Sequence, residues 1–320
     1  MPGVNLFSGN ELDATDQPDA ALIFGGDGTV HRHLSGLALK QVPTLVVPMG
    51  SANDFAQSIG IQNVEQALAA WRRFCAVGDN TRGIDLGTIR PLEENAAAEL
   101  ESSVPWQGES LETLHFVPDG PRRDQSKLGA RIMQSQLRRL TEAEREIARI
   151  TFFCCIAGTG LDAAVNRLTL KQPRWLRGHG GYVVALLQVL GSFRPPRMTV
   201  SVQADGEWQT RLDEAGFLIA AGNGPQYGNG MRLTHEARLD DGLLDLCFVR
   251  NLSKLRLLRL FRVVYQGGHL GMKEVEYFQV SRLRIVTDPV TEVFADGEYI
   301  CTTPVELGVR RNAMRVIVAS

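Results

Sequence analysis

LIFGGDGTV (residues 22–30) and TLVVPMGSAND (residues 44–54) each run from an apolar strand pattern into a short loop that carries glycine or serine and an aspartate. The alternation of strand-like and helical patterns from residue 19 to about residue 85 is typical of βαβ units around a parallel sheet. Glycine-bearing loops at the ends of such strands present backbone N–H groups beside helix N-termini, where phosphate groups bind. The two stretches therefore predict an α/β lobe that binds a nucleotide.

The composition permits such a lobe and argues against several other classes. The 320 residues, 44% of them hydrophobic, can form one large or two ordinary domains. A net charge of −2 with dispersed Lys and Arg does not indicate nucleic-acid binding. The five cysteines have no Cys-x-x-Cys spacing, so they indicate neither a disulfide framework nor a zinc site and favour a reducing cytoplasm. The first residues lack a signal-peptide pattern, and no apolar stretch is long enough to span a membrane.

The pattern changes twice after the α/β lobe. Residues 91–149 are charged and irregular, with a helical stripe at residues 128–140, and we interpret them as an insertion. From residue 151 onward, short alternating segments separated by Gly and Asp turns predict an antiparallel β-sandwich. The predicted fold class is α/β + β: a Rossmann-like parallel α/β nucleotide lobe followed by an antiparallel β-sandwich lobe. The predicted boundaries are 1–88 with a returning tail at about 305–320 for the first lobe, 89–150 for the insertion and 151–304 for the sandwich.

Several motifs in a fixed order carry a resemblance to a known family. GGDGT (residues 25–29) followed by PMGSANDFAQSIGI (residues 48–61) resembles the two nucleotide loops of the diacylglycerol kinase catalytic-domain superfamily, which includes sphingosine kinases and bacterial lipid kinases. The similarity continues in IDLG, GTGLDAAV, AGNGPQYGNGMRLTHEARLDDGLLDL and FADGEYICTTPVELGV, at residues 84–87, 158–165, 221–246 and 294–309. A lone GGDGT is a weak signal, but colinear motifs over nearly the whole chain are a strong one.

The resemblance implies binding of ATP and Mg²⁺ in the α/β lobe. The implied cofactor-binding residues are Gly25, Gly26, Asp27, Gly28, Thr29, Gly50, Ser51, Asn53, Asp54 and Asp85. The glycines let the backbone approach phosphates, and Ser51 and Asn53 offer a hydroxyl and an amide. The family links the three aspartates, and carboxylates held close together need cations. The simpler alternative is that the first loop is a tight turn and that Asn53 and Asp54 only cap the following helix.

The resemblance also assigns catalysis to Asp296 and Glu298. Phosphoryl transfer to an alcohol uses a carboxylate that accepts the hydroxyl proton, and Asp296 matches the family's general base. Glu298, two residues later in an extended segment, is expected on the same side, where it contacts metal or nucleotide. Asp-Gly between two strand-like segments is also a type I′ hairpin signal, and such a turn is compatible with carboxylates that point into a cleft.

Other residues support further predictions. Asp240 and Asp241 suit a structural cation, as in relatives, although Arg238 stands where such a site prefers an oxygen. Asn223 and Tyr227, on a glycine-rich loop, are expected to line the acceptor cleft. The histidines near the motifs, His31 among them, are expected to be ordinary surface residues. The basic and leucine-rich segment at residues 252–264 predicts either a helix that touches anionic lipid or an amphipathic helix packed on the sandwich.

The predicted function is that of an ATP-dependent lipid kinase of phospholipid metabolism, which phosphorylates a diacylglycerol- or sphingoid-like lipid at the membrane surface. The expected location is cytoplasmic with peripheral membrane contact, with a homodimer as one option and no nucleic-acid partner. Only 24 residues precede GGDGT, where the family usually has two further βα units, so we expect a shortened sheet with an exposed edge. Two alternatives follow: a non-catalytic nucleotide- or lipid-binding relative, and an NAD kinase-like enzyme with a soluble acceptor.

Overall fold

The computed structural model describes residues 18–92, 150–171, 179–228 and 230–319. Most of the predicted insertion, including the helical stripe at residues 128–140, lies outside the described residues. The remaining chain forms two lobes that share a continuous sheet of 13 described strands.

The α/β lobe begins with two parallel strands, β1 (Ala21–Gly25) and β2 (Thr44–Pro48), whose register places Ala21 opposite Thr44. Three helices belong to it: α1 (Asp27–Lys40), α2 (Asp54–Ser58) and α3 (Val64–Ala76). The apolar stripe of α1 packs into the same core cluster as β2 because its members recur three or four residues apart; they are Val30, Leu34, Leu37 and Ala38. Among the described strands, β1 pairs only with β2 and is the edge of the sheet, and Phe24 on it is 62% exposed.

The second lobe is antiparallel. Its strands are β3 (Thr81–Pro91), β4 (Thr151–Phe153), β5 (Ile156–Gly160), β6 (Arg197–Ala204), β7 (Glu207–Gly222), β8 (Leu244–Arg250), β9 (Val275–Val280), β10 (Arg282–Asp288), β11 (Glu292–Ala295) and β12 (Glu298–Thr302). Its helices are α4 (Leu161–Lys171), α5 (His179–Ser192), α6 (Lys254–Val264) and a short 3₁₀ helix, Gly268–Gly271. The long strand β7 pairs with β6 and β5 at different parts of its length, so it spans two layers of the sandwich.

The last strand, β13 (Val305–Ile317), connects the lobes. It pairs antiparallel with β3 over most of its length, antiparallel with β10, and parallel with β2 where Val316 lies opposite Thr44. The end of the chain therefore completes the sheet that begins with β1. The predicted fold class, an α/β lobe joined to an antiparallel β-sandwich lobe, is confirmed.

Helix α6 packs on the sandwich through Leu257, Leu260 and Val264, which are buried in one apolar cluster. Of the two predictions for this segment, the packed amphipathic helix is therefore the one observed. Leu255 on the same helix is 64% exposed. Within the described ranges, every helix falls short of the length or the apolar character that crossing a membrane requires.

Candidate active site

A cleft with a volume of about 300 Å³ opens between the two lobes. Loops that follow β1 and β2 form one wall, and the β4–β5 connection, the loop at residues 227–228 and the β11–β12 turn form the other. The lining residues are Gly26, Asp27, Gly28, Gly50, Ser51, Ala52, Asp54, Cys155, Asn166, Tyr227, Gly228, Asp296, Gly297 and Glu298. Four of these described residues are acidic and none is Lys or Arg, so an anionic ligand would need a cation there.

Gly26 and Gly50 bring the two loops of the α/β wall into backbone contact. A Cβ atom on Gly50 would lie 2.5 Å from Gly26 Cα, and a Cβ atom on Gly26 would lie 2.9 Å from Gly50 Cα. Asn53, in the left-handed region with φ of 57°, locks the second loop. Its Oδ1 accepts from the Gly50 N–H at 2.8 Å, and its Nδ2 donates to the Gly50 carbonyl at 2.9 Å. The Asn53 amide is therefore used inside the loop, whereas Ser51 is exposed and lines the cleft.

Gly25 and Thr29 lie beside the cleft but do not line it. Gly25 ends β1, and a Cβ atom there would lie 2.4 Å from Thr29 Oγ1. Thr29 is in the first turn of α1, where its hydroxyl accepts from Arg32 Nη2 at 3.4 Å. Gly25 and Thr29 therefore shape the first loop. The exposed Arg32 guanidinium lies next to this loop, near the N-terminal end of α1.

Asp27 joins the two loops through its carboxylate. Its Oδ1 accepts from the Phe55 N–H at 2.9 Å and its Oδ2 from the Asp54 N–H at 3.2 Å, so it caps α2 from a residue of α1. Burial raises the pKa of Asp27, the nearby Asp54 carboxylate raises it further, and the two N–H donors offset only part of this. A cation beside Asp27 would relieve the cost of keeping its charge.

Asp54 connects the α/β wall to the opposite lobe. It is 2% exposed, and its Oδ1 accepts from the backbone N–H of Gly230 at 2.9 Å. Gly230 lies on the glycine-rich loop of the sandwich, so this contact closes one side of the cleft.

Asp296 occupies the first position of the β11–β12 turn, where Asp296 and Gly297 both have positive φ, 49° and 85°. This agrees with the type I′ signal in the sequence. The Asp296 carboxylate accepts from the N–H groups of Cys154 (2.9 Å), Cys155 (2.8 Å) and Ile156 (3.3 Å). The turn therefore aims the carboxylate at the backbone between β4 and β5, at the floor of the cleft.

His31 also contacts this carboxylate. Its Nδ1 lies 3.0 Å from Asp296 Oδ2, with side-chain exposures of 9% and 0%, so the expectation of an ordinary surface histidine was wrong. Burial acts to raise the pKa of Asp296, but the hydrogen bond and charge of His31 and the backbone N–H donors outweigh it and leave the pKa lowered. The contact between His31 of α1 and Asp296 of the sandwich thus joins the two lobes.

Glu298 differs from Asp296 because it is exposed. A Cβ atom on Gly28 would lie 3.2 Å from Glu298 Oε1, so this carboxylate lies over the first turn of α1. A negative group is favourable at a helix N-terminus. Glu298 is thus a carboxylate of the cleft that is exposed to solvent and lies beside the start of α1.

Tyr227 lines the cleft, as predicted, and belongs to a hydrogen-bonded group with two residues of α4. Its hydroxyl donates to Asp162, with oxygen distances of 2.9 and 3.0 Å, and accepts from Asn166 Nδ2 at 2.7 Å. The sequence analysis gave no role to Asp162 or Asn166. Their spacing of four residues on one helix face was the available signal.

Asn223 is fully buried and donates to the carbonyls of Asp85 and Cys154, so it is not among the lining residues.

Asp85 is buried and is not among the residues that line the cleft. Its Oδ1 accepts from the Asn312 N–H and its Oδ2 from the Gly242 N–H, both at 2.7 Å, and it is 5% exposed. Of the predicted group of Asp27, Asp54 and Asp85, the first two line the cleft and Asp85 does not. Asp296 and Glu298, not Asp85, share the cleft with the first two.

The contacts of Asp240 do not support the predicted cation site at Asp240 and Asp241. Asp240 Oδ2 accepts from Arg82 Nη2 at 2.5 Å, and Arg238 Nε lies 3.6 Å from its other oxygen. Asp241 Oδ1 accepts from the Leu243 N–H at 3.0 Å, a contact within its own turn. Arg82 and Arg238 both pair with the Asp240 carboxylate, so positive charge already compensates it.

The residues of the cleft fit a nucleotide phosphate with Mg²⁺. Gly26, Gly28 and Gly50 line the cleft without a Cβ atom, so a phosphate can come close to the backbone of both loops at the start of α1. Carboxylate oxygens are the donors that Mg²⁺ prefers, and Asp27, Asp54 and Glu298 supply them.

Comparison with known protein families gives two matches. A profile described as "YegS C-terminal NAD kinase beta sandwich-like domain" matches residues 155–318, which is slightly more than half of the chain. A profile described as "Diacylglycerol kinase catalytic domain" matches residues 10–89. The second match covers the α/β lobe and most of β3, and the first covers the sandwich from β5 onward together with β13.

Curated relatives and solved structures agree with these matches. The chain is 26% identical over 299 residues to a diacylglycerol kinase of Mycobacterium tuberculosis, covering 93% of this chain and 76% of the relative. It is 23% identical over 287 residues to the diacylglycerol kinase of Bacillus subtilis, covering 88% and 71%. Two crystal structures from Bacillus anthracis, the second of a diacylglycerol kinase, match with TM-scores of 0.58 and 0.53 at 18% and 15% identity. They cover 94% of this chain and 78% and 76% of their own. At these identities the structures show a shared fold.

Proposed function

The chain belongs to the diacylglycerol kinase catalytic-domain superfamily, a family of lipid kinases, and we propose that it transfers the γ-phosphate of ATP to a hydroxyl of a diacylglycerol- or sphingoid-like lipid. One observation carries the proposal. The glycine loops of the α/β lobe and the Asp296–Glu298 turn of the sandwich, more than 240 residues apart in sequence, line the same cleft. Phosphoryl transfer depends chiefly on positioning and charge neutralisation, and these are the parts it needs.

Phosphate binding is assigned to the α/β wall. In this proposal the loops at Gly26 and Gly50 approach the phosphates with their backbone, and the exposed Ser51 hydroxyl donates to them. Asp27, Asp54 and Glu298 would hold Mg²⁺, which would neutralise the negative charge of the nucleotide phosphates. Asp85 supports this wall indirectly, because its carboxylate fixes the backbone at Gly242 and Asn312.

Proton transfer is assigned to Asp296. His31 and three N–H donors keep its carboxylate ionised, which is the state that a proton acceptor requires. The same partners make it a weak base, but the loose transition state of phosphoryl transfer demands little from the base. Cytoplasmic location, peripheral contact with the membrane and a homodimer stay predictions.

The test is transfer of ³²P from Mg-ATP to diacylglycerol and sphingosine in mixed micelles, with NAD as a soluble acceptor in parallel. We expect a labelled lipid, and a loss of about 10²- to 10⁴-fold in Asp296→Asn, the range typical of general-base catalysis. Glu298→Gln, at an exposed position, is expected to lose less. ATP binding without turnover would support the non-catalytic alternative, and labelled NAD would support the NAD kinase-like one.

Two controls separate chemistry from folding. Asp296→Asn puts an NH₂ group where backbone N–H donors point, so its melting temperature must be compared with that of the wild type. Glu65→Gln changes an exposed glutamate in the first turn of α3, away from the cleft, and should keep full activity. Full activity of a folded Asp296→Asn protein would remove Asp296 as the base.

A further inference from the structure

Two adjacent cysteines lie behind the cleft beside Asp296. Cys154 and Cys155 connect β4 to β5 and are 0% and 2% exposed. Their Sγ atoms are 3.9 Å apart, and Cys154 Sγ lies 3.4 Å from Asp296 Oδ2. The two sulfurs and a carboxylate oxygen of Asp296 all lie within 4.8 Å of one another, and we call these three residues the thiol–carboxylate cluster.

The spacing within the thiol–carboxylate cluster matches that of zinc ligands. Zinc binds sulfur at about 2.3 Å and carboxylate oxygen at about 2.0–2.2 Å in a tetrahedral arrangement, so two sulfurs stand about 3.8 Å apart and a sulfur and an oxygen about 3.5 Å apart. The observed distances of 3.9 Å between the sulfurs and 3.4 Å from Cys154 Sγ to Asp296 Oδ2 are close to these values. Two of the three donor pairs in the cluster are therefore already at ligand spacing.

The surroundings favour a cation and give it a route. The Asp296 and Asp27 carboxylates interact electrostatically with the Cys154 thiol and make its surroundings negative. A metal ion would replace the two thiol protons and add positive charge to this negative region. Cys155 and Asp296 border the cleft although they are buried, so the cleft is the side from which an ion would approach.

We propose that Cys154, Cys155 and Asp296 form a binding site for Zn²⁺. Thiolate ligands select zinc over magnesium, so this site is chemically distinct from the carboxylate set assigned to Mg²⁺. Three protein ligands leave one tetrahedral position, for water or for His31, whose Nδ1 is 3.0 Å from Asp296 Oδ2. Binding releases two thiol protons to the solvent and involves no redox change.

The proposal has a consequence for the reaction, although it does not rest on the proposed function. A zinc ion bound to Asp296 would occupy the carboxylate assigned as proton acceptor. Zinc is therefore expected to inhibit a kinase of this design, whereas its binding can be measured with no substrate present.

The experiment titrates Zn²⁺ into the full-length, reduced protein in competition with a chromophoric chelator. We expect one zinc per chain, tighter binding at higher pH because two protons leave, and a loss of affinity of about tenfold or more in Cys154→Ala and in Cys155→Ala. Cys247→Ala is the matched control, because Cys247 is also fully buried but lies on β8 outside the cluster. It should bind zinc as the wild type does.

A spectroscopic measurement on the wild type decides the ligands even if a variant does not fold. Co²⁺ bound at this site should show thiolate-to-metal charge-transfer absorption, which carboxylate-only sites lack. Absence of that absorption, absence of stoichiometric zinc, or equal affinity in folded Cys154→Ala and Cys247→Ala would overturn the site. Zinc binding by a protein that phosphorylates no lipid would leave the site standing and reject only the kinase proposal.

Discussion

Asp27 and Asp296 face the same cleft from opposite walls, but their pKa values shift in opposite directions. Burial is the largest contribution in both cases and acts to raise both pKa values. Asp27 receives two backbone N–H donors and lies near Asp54, whereas Asp296 receives three such donors and the contact from His31. The charge state of a buried carboxylate here depends on the number and charge of its donors, not on burial alone.

The walls also differ in how far along the chain their contacts reach. Asp27 caps a helix only 28 residues away, at Phe55, while Asp296 binds backbone groups 141 and 142 residues away, at Cys155 and Cys154. The α/β wall is therefore built from neighbouring βα units, and the sandwich wall depends on the assembled sheet. Changes to the first wall should affect the cleft locally, and changes to the second should affect the way the lobes are joined.

Replacing Gly50 by alanine should have the largest effect on the α/β wall. Its Cβ atom would lie 2.5 Å from Gly26 Cα, so backbone must move, with a cost of about 1–3 kcal/mol in the free energy of unfolding and loss of ATP binding. Gly36→Ala is the matched control, because nothing lies within 4 Å of its added Cβ atom in α1. That change should stabilise the protein by about 0.5–1 kcal/mol and leave ATP binding unchanged. Urea unfolding and ATP titration measure both; equal ATP affinity in the two variants contradicts the close-contact argument.

The dependence of stability on pH should separate Asp27 from Asp296. The folded-state pKa of Asp296 is below the usual 3.8, so its charge contributes stability that is present above about pH 4 and is lost as the pH falls through the folded value. The pKa of Asp27 is raised above 3.8, so its ionised form costs stability near neutral pH, and that cost disappears as the pH falls through the raised value. As the pH falls from 7, wild type should first gain relative to Asp27→Asn, and only below about pH 4 should it begin to lose its advantage over Asp296→Asn.

Urea denaturation of the three proteins at several pH values, without divalent ions, measures these differences. If the free energy of unfolding depends on pH in the same way for Asp27→Asn and Asp296→Asn, the two carboxylates do not have opposite pKa shifts. Added Mg²⁺ should reduce the difference seen for Asp27, because a bound cation favours its ionised form.

The smallest effect is expected at Asp240, outside the cleft. Its pair with Arg82 is partly exposed, with side-chain exposures of 46% for Arg82 and 32% for Asp240. Asp240→Asn should therefore change the free energy of unfolding by at most about 1 kcal/mol. Magnesium dependence of activity should not change, since two arginines already occupy its carboxylate. A clear increase in the magnesium concentration needed for activity would restore Asp240 as a cation ligand.

Elements with local causes could be predicted from the amino-acid sequence. Gly26 and Gly50 could be predicted as points of close approach because strand, glycine loop and helix follow one another within a few residues. The Asp296–Gly297 turn was readable for the same reason, since Asp-Gly between two strands demands positive φ. The two-lobe fold class followed from the change of period along the chain, from βαβ units to short alternating strands.

Only the tertiary structure decided which side chains meet. Asp85 and Asp296 were both predicted from the sequence as site residues. In the folded protein the Asp85 carboxylate accepts from the N–H groups of Gly242 and Asn312, whereas Asp296 lies at the cleft in contact with His31. The adjacent cysteines lacked the spacing of a metal site, yet the β11–β12 turn brings a third donor to them. The physical reason is that a local pattern fixes backbone conformation, whereas a contact between residues 140 or more positions apart depends on strand register and packing of the whole sheet.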